Sequence, residues 1–136
     1  MAGAVTPDDL LALAAFADRL DEPAGEWRGG ERDAEGAIQM PWFEFSPMLS
    51  DFHKAAYDHG LVVSFDWSAW MQTDEGRRLM AADRARLTGA TLEELQWIVT
   101  AIMRIERFSE GAIASAWDDG RLPAIILRLV VLAADD

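Results

Sequence analysis

The run Thr91-Leu92-Glu93-Glu94-Leu95-Gln96-Trp97-Ile98-Val99-Thr100-Ala101-Ile102-Met103-Arg104-Ile105-Glu106-Arg107 spells out one element almost completely. Thr91 and Glu94 have capping-box spacing: the hydroxyl takes an N–H of the first turn, and the carboxylate reaches back to the N–H of the cap. Leu92, Leu95, Ile98, Val99, Ile102 and Ile105 then recur at intervals of three and four, the stripe of an amphipathic helix.

The rest of the chain uses the same signals. Thr6, Pro7, Asp8 and Asp9 open a first helix with a cap, a proline at the first helical position and acids at the positive end of the dipole. Leu10, Leu11, Leu13, Ala14, Ala17 and Leu20 supply its apolar side, and Pro23 and Gly25 end it. Ser46-Pro47 starts a second helix, lined by Met48, Leu49, Phe52, Ala55 and Ala56 and stopped at Gly60. Leu61–Phe65 reads as a short buried connector. Asp66 caps a helix running through Trp67, Trp70 and Met71 toward Leu79 and Met80, with Gly76 as a point of weakness. Ser109 and Glu110 restart a helix that Gly120 ends, and Leu122–Ala134 forms the last, with Leu122, Ile125, Ile126, Leu129 and Leu132 inward. Residues 21–37 are polar and glycine-rich and read as a mobile surface loop; Ile38–Phe45, apolar and aromatic with a proline inside it, reads as either a short extended segment or irregular chain. The expectation is an all-α fold: an irregular bundle of about six helices with a polar loop, in a single domain over residues 1–136.

Composition limits function. The chain has 136 residues, 24 acidic and 12 basic, no cysteine, two histidines and six tryptophans. A hydrophobic fraction of 51% fills a core without a staple, and a chain of this size buries roughly two-thirds of its unfolded surface. Without cysteine there is no disulfide, no thiolate metal site and no thiol nucleophile. A net charge of −12, with no basic patch, argues against direct binding of nucleic acid or an anionic membrane. The acids are weighted to the front: 12 acids against 4 bases in residues 1–60, and 12 against 8 afterwards. No basic n-region precedes the first apolar run, so a cytoplasmic protein is expected. Eleven of the twelve bases are arginine and asparagine is absent, a bias of GC-rich bacterial genomes.

One segment carries a resemblance. Thr100-Ala-Ile-Met-Arg104-Ile-Glu-Arg107-Phe108-Ser-Glu110-Gly111, followed by Ala114, Trp117, Gly120 and Ile126-Leu127-Arg128-Leu129, resembles the pattern of a bacterial family called domain of unknown function 6508. A tryptophan-rich segment like Phe65-Asp66-Trp67-Ser68-Ala69-Trp70 precedes it, and the likeness spans about residues 48–132. The family pattern commonly has a histidine after Glu-Gly, where this chain has Ala112. The resemblance implies a helical fold and a bacterial source; it implies no activity.

Arg104 and Arg107 lie three apart and share a helical face with Glu93, Gln96 and Thr100, with Trp97 on its edge. Two guanidiniums beside a tryptophan suit a carboxylate, a phosphate or a planar anion. The competing reading is structural, with the arginines pairing to Glu110, Asp118 or Asp66. The candidate ligand or partner site is therefore Trp97, Thr100, Arg104, Arg107 and Glu110. Ser109 reads as a helix cap, not a nucleophile, because no base or elbow signature accompanies it. No catalytic residue and no cofactor are expected. His53 and His59, with Asp51 and Asp58, are the one metal-like set, but a spacing of six puts the histidines on different faces, so no metal site is expected. Trp67 and Trp70 read as core; Trp27 and Trp42, in or beside the polar loop, read as partly exposed anchors. Leu127 and Val131 fall on the outer side of the last helix, a candidate interface with another protein or a second copy. Three functions follow: a non-catalytic protein–protein interaction module, an acidic mimic of nucleic acid that blocks a basic protein, or a small-ligand binder or enzyme using an Arg/Arg/Glu cluster.

Overall fold

The computed structural model describes residues 5–38 and 40–134. α1 (Pro7–Ala14) begins with a complete capping box: Asp9 N–H donates to the Thr6 hydroxyl at 3.1 Å, and Thr6 N–H donates to the Asp9 carboxylate at 3.0 Å. It tightens into a 3-10 turn over Ala15–Arg19, and Leu10, Leu13 and Phe16 point inward.

The polar region departs from expectation. β1 (Gly25–Arg28) pairs antiparallel with β2 (Trp42–Phe45), so the fold is mostly α with a two-stranded sheet, not all-α. The alternation explains it. Trp27, Phe43 and Phe45 share one face and meet edge to face at 5.4 and 5.8 Å, while Glu26, Arg28 and Glu44 pair ionically on the other. An Arg32–Ile38 bridge extends the hairpin, so part of the 21–37 loop is a β-ribbon. Position 25 requires glycine: its φ is +142°, and a Cβ there would lie 2.1 Å from the Glu44 carbonyl oxygen.

α2 (Pro47–Asp58) starts at Ser46, whose hydroxyl accepts from Leu49 N–H, and it buries Met48, Leu49, Phe52 and Ala56. The stretch read as one helix from Asp66 to Met80 is two, α3 (Trp67–Met71) and α4 (Asp74–Met80). Thr73 makes the break: its hydroxyl caps Gly76 N–H at 3.0 Å. Gly76 is not the break itself. It is the point where α4 rests on α3, since a Cβ there would lie 2.0 Å from Trp70 O. A short α5 (Arg84–Leu87), capped by Asp83, was not apparent from periodicity because four residues carry none.

α6 (Leu92–Ile105) follows its capping box as expected. α7 (Ala112–Asp118) and α8 (Arg121–Ala134) complete eight α-helices among the described residues, not six. The cap of α7 is not Ser109. Gly111 takes the N-cap position at φ +101°, and the Glu106 carboxylate accepts from Gly111 N–H (2.8 Å) and Ile113 N–H (2.9 Å). α8 packs against α1, α5, α6 and α7. Leu13, Leu49, Phe52, Leu95, Ile102, Ile125 and Leu129 meet in one buried cluster. Leu132 is half-buried at its margin. Among the described residues, no helix is long and apolar enough to cross a membrane.

Candidate functional site

The C-terminal half of α6 organises the site, but not as the helical wheel implies. Thr100 is 0% exposed, and its hydroxyl accepts from Val63 N–H at 2.9 Å. One turn earlier, Gln96 donates to the Gly60 carbonyl at 2.9 Å. These two polar side chains bind the connector after α2 down onto α6. The face assigned to a ligand is therefore covered, along its N-terminal part, by the chain's own residues 60–63. Trp97 is half-buried behind that connector, 6.0 Å from the Trp70 ring and 6.3 Å from the Phe65 ring. Phe65 and Trp70 meet edge to face at 5.8 Å, so the connector leads directly into an aromatic cluster.

Beyond this cover the helix face opens. Arg104 and Arg107, with Val63, Ser64, Phe65, Trp67 and Phe108, line a groove of about 310 Å³. The Arg104 guanidinium lies 6.0 Å from the Tyr57 ring centroid, within cation–π range. Among the described residues, no carboxylate pairs with Arg104 or Arg107. The acids expected to pair with them are elsewhere. Asp66 caps α3 by accepting from Ala69 N–H, and Glu110 accepts from Phe43 N–H at 2.9 Å. Asp118 lines a different groove, between the hairpin and α7.

Glu110 thus separates from the two arginines. It fastens the outer edge of β2, and beside it the Gly111 backbone lies against the Trp27 ring, 3.0 Å from where a Cβ would be. Trp27, expected as an exposed anchor, is 56% exposed with one edge so engaged. In Arg107-Phe108-Ser109-Glu110-Gly111, then, the last two residues hold the hairpin, while Arg107 and Phe108 face outward. Phe108 is 81% exposed. Its ring stands 6.5 Å from that of Trp67, the planes 31° apart. Trp67, read as core, is only half-buried, because on a five-residue helix Trp70 alone packs against the core. Phe65, Trp67 and Phe108 are the site residues that periodicity missed; the usable signal was a phenylalanine in a turn directly after an arginine.

The other candidates resolve simply. Asp51 pairs with Arg19 at 2.9 Å and Asp58 with Lys54. The Thr6 backbone N–H donating to the Asp9 carboxylate, and then His59 Nδ1 at 2.9 Å from it, hold the Asp9 carboxyl below the ordinary carboxylate range. Burial beside Phe45 and Tyr57 lowers the His53 pKa. Among the described residues, no group of three or more His, Cys, Asp or Glu is arranged to hold a metal. On α8, Leu127 and Val131 are each 46% exposed, as expected, and Val130 joins them.

No curated protein and no solved structure matches the chain. A family model described as a family of unknown function (DUF6508) matches residues 5–135. The Thr100 to Gly111 pattern lies inside that match, and the chain belongs to this family of unknown function.

Proposed function

We propose that this protein is a non-catalytic protein–protein interaction module that meets its partner at the Arg104/Arg107 groove. One observation carries the reading. Two arginines without carboxylate partners among the described residues, in a chain of 24 acids, share a groove with a phenylalanine that is 81% exposed. Arginine and aromatic side chains together are the composition of interface anchors. Arg84, also without an ion pair among the described residues, lines a groove with Asp83, Asp119 and Arg121 and no aromatic ring. The separation of Glu110 from the arginines weighs against an Arg/Arg/Glu catalytic or ligand cluster.

The test is affinity capture from lysate of the native host, with mass-spectrometric comparison of the parent and Arg104→Ala with Arg107→Ala. Arg77→Ala with Arg78→Ala, on the exposed side of α4, controls for the same change in charge. Loss of a specific protein in the first variant only, with helical circular dichroism unchanged, is the expected result. Capture unaffected by the first variant, or lost together with the fold, removes the groove from the function. Capture of basic proteins that disappears in high salt and ignores the groove would favour the acidic mimic instead.

A further inference from the structure

The groove also specifies the chemistry of what enters it, and this deepens the interaction-module reading and rests on it. Trp67 and Phe108 line the groove together. Their ring centroids are 6.5 Å apart and their planes 31° from parallel. A flat ring in van der Waals contact on both faces needs about 7 Å, twice the usual carbon–carbon contact of about 3.5 Å. Widening by about half an ångström is a small side-chain rotation for Phe108, which has solvent around most of its ring. Phe65 also lines the groove and is itself held by Trp70 and Trp97. Trp67 is half-buried and Phe108 81% exposed, so Phe108 is the freer of the two rings.

The surrounding charge selects the neighbours of that ring. Arg104 and Arg107 are within reach of the same groove. The acids nearest in sequence are engaged with backbone amides: Glu106 with Gly111 and Ile113, Glu110 with Phe43, and Asp66 with Ala69. A carboxylate entering the groove meets guanidinium forks that have no internal competitor, the geometry for bidentate pairing. A cationic guest would be repelled by both arginines. A nucleic acid is also a poor fit, because its affinity comes from many neutralised phosphates; the groove offers two cations on a chain with net charge −12.

We infer that the groove takes an acidic segment of a partner protein anchored by one aromatic side chain: the ring enters between Trp67 and Phe108, and flanking carboxylates pair with Arg104 and Arg107. A volume of about 310 Å³ suits one ring and its immediate neighbours rather than a whole helix.

The test uses the full chain, labelled with nitrogen-15, and short synthetic peptides in buffer of physiological ionic strength, where the Debye length is about 8 Å and the overall negative field is screened. The first probe is acetyl-Asp-Glu-Tyr-Asp-Glu-amide. The comparison peptides replace the acids by Asn and Gln, the Tyr by Ala, or the acids by Lys and Arg. The expected result is saturable shifts of the Trp67 indole and the Arg104 and Arg107 side-chain signals with the first peptide. Affinity should fall about tenfold or more on losing either the ring or the acids, one such factor being the loss of a single good interaction. Arg104→Lys with Arg107→Lys should lose part of the binding and the double alanine variant nearly all of it. Phe108→Ala should erase the preference for Tyr over Ala; the exposed position makes this variant safe for the fold. Equal binding of the Ala peptide, preference for the basic peptide, shifts confined to other surfaces, or no binding would each overturn the inference. If none of the peptides binds while a captured partner still depends on Arg104 and Arg107, the interaction module stands and only the assigned chemistry falls. If capture ignores both arginines, the module reading falls first.

Discussion

Replacing Gly76 by alanine sets two physical arguments against each other with opposite signs. By helix propensity the change is favourable, since glycine inside a helix costs up to about 1 kcal/mol relative to alanine. Gly76 has ordinary helical φ, so no left-handed strain intervenes. Packing gives the reverse. The new Cβ would lie 2.0 Å from Trp70 O and 2.8 Å from Trp70 C. A carbon meets a carbonyl oxygen comfortably at about 3.3 Å, so α3 and α4 must separate by roughly 1.3 Å at that point. Both groups are backbone, and neither can rotate away. Overpacking of this kind costs about 3 kcal/mol, at the upper end of the usual range. Set against the propensity gain, the net loss is about 2 kcal/mol, which at an ordinary denaturant slope lowers the urea midpoint by about 1 M. The assay is urea unfolding followed by both tryptophan fluorescence and far-UV circular dichroism. Gly89→Ala is the control, because nothing lies within 4 Å of a Cβ there; it should be neutral or slightly stabilising. A midpoint for Gly76→Ala equal to or above the parent would show that α3 and α4 do not abut at this glycine. The docking of Trp67 beside the groove would then need a different explanation.

Four further outcomes are expected. Gly111→Ala places a side chain at φ +101° against the Trp27 ring and should cost about 1–3 kcal/mol in the same unfolding assay, with a changed tryptophan emission. Thr100→Val keeps the volume but strands the Val63 N–H, and should lower stability by about 1–3 kcal/mol, whereas Thr100→Ser retains the hydrogen bond; equal stability of parent and valine variant would deny the hydrogen bond any role. Glu110→Ala frees the outer edge of β2, so hydrogen exchange at the Phe43 amide should accelerate, while Glu110→Gln, which keeps an acceptor oxygen, should leave it near the parent rate. Burial holds the His53 pKa below its ordinary 6.5 in the fold, so the unfolded chain takes up the proton first and this contribution to stability is lost as pH falls through 6.5 and below; His53→Gln should flatten that part of the stability–pH curve.

The helices were legible where sequence carries redundant signals. α1, α2 and α6 each have a cap and an apolar stripe of more than two turns, and each starts where expected. Reading failed where the deciding interaction is between residues distant in the chain. β1 has a single apolar residue in a glycine-rich run, and only its cross-strand partners Phe43 and Phe45 make it a strand. The Glu106 cap on α7 reaches forward five and seven residues, which no capping rule anticipates. The candidate site divided for the same reason. Arg104 and Arg107 follow from spacing alone. Thr100 and Gln96 share their face, but a connector 36 and 37 residues earlier covers them. A helical wheel says which residues share a side; it does not say which segment returns to cover it.

The six residues from Glu106 to Gly111 form a party wall. One surface borders the Arg104 groove through Arg107 and Phe108; the other braces the hairpin through Glu110 and Gly111. Two compartments divided by one wall are not energetically independent. If an occupant of the groove stiffens this wall, it lowers the equilibrium population of frayed β2 by some factor, and reciprocity requires that unlatching the hairpin weaken the occupant's affinity by that same factor. A variant at Glu110, with no atom in the groove, thereby becomes a gauge of what happens inside it.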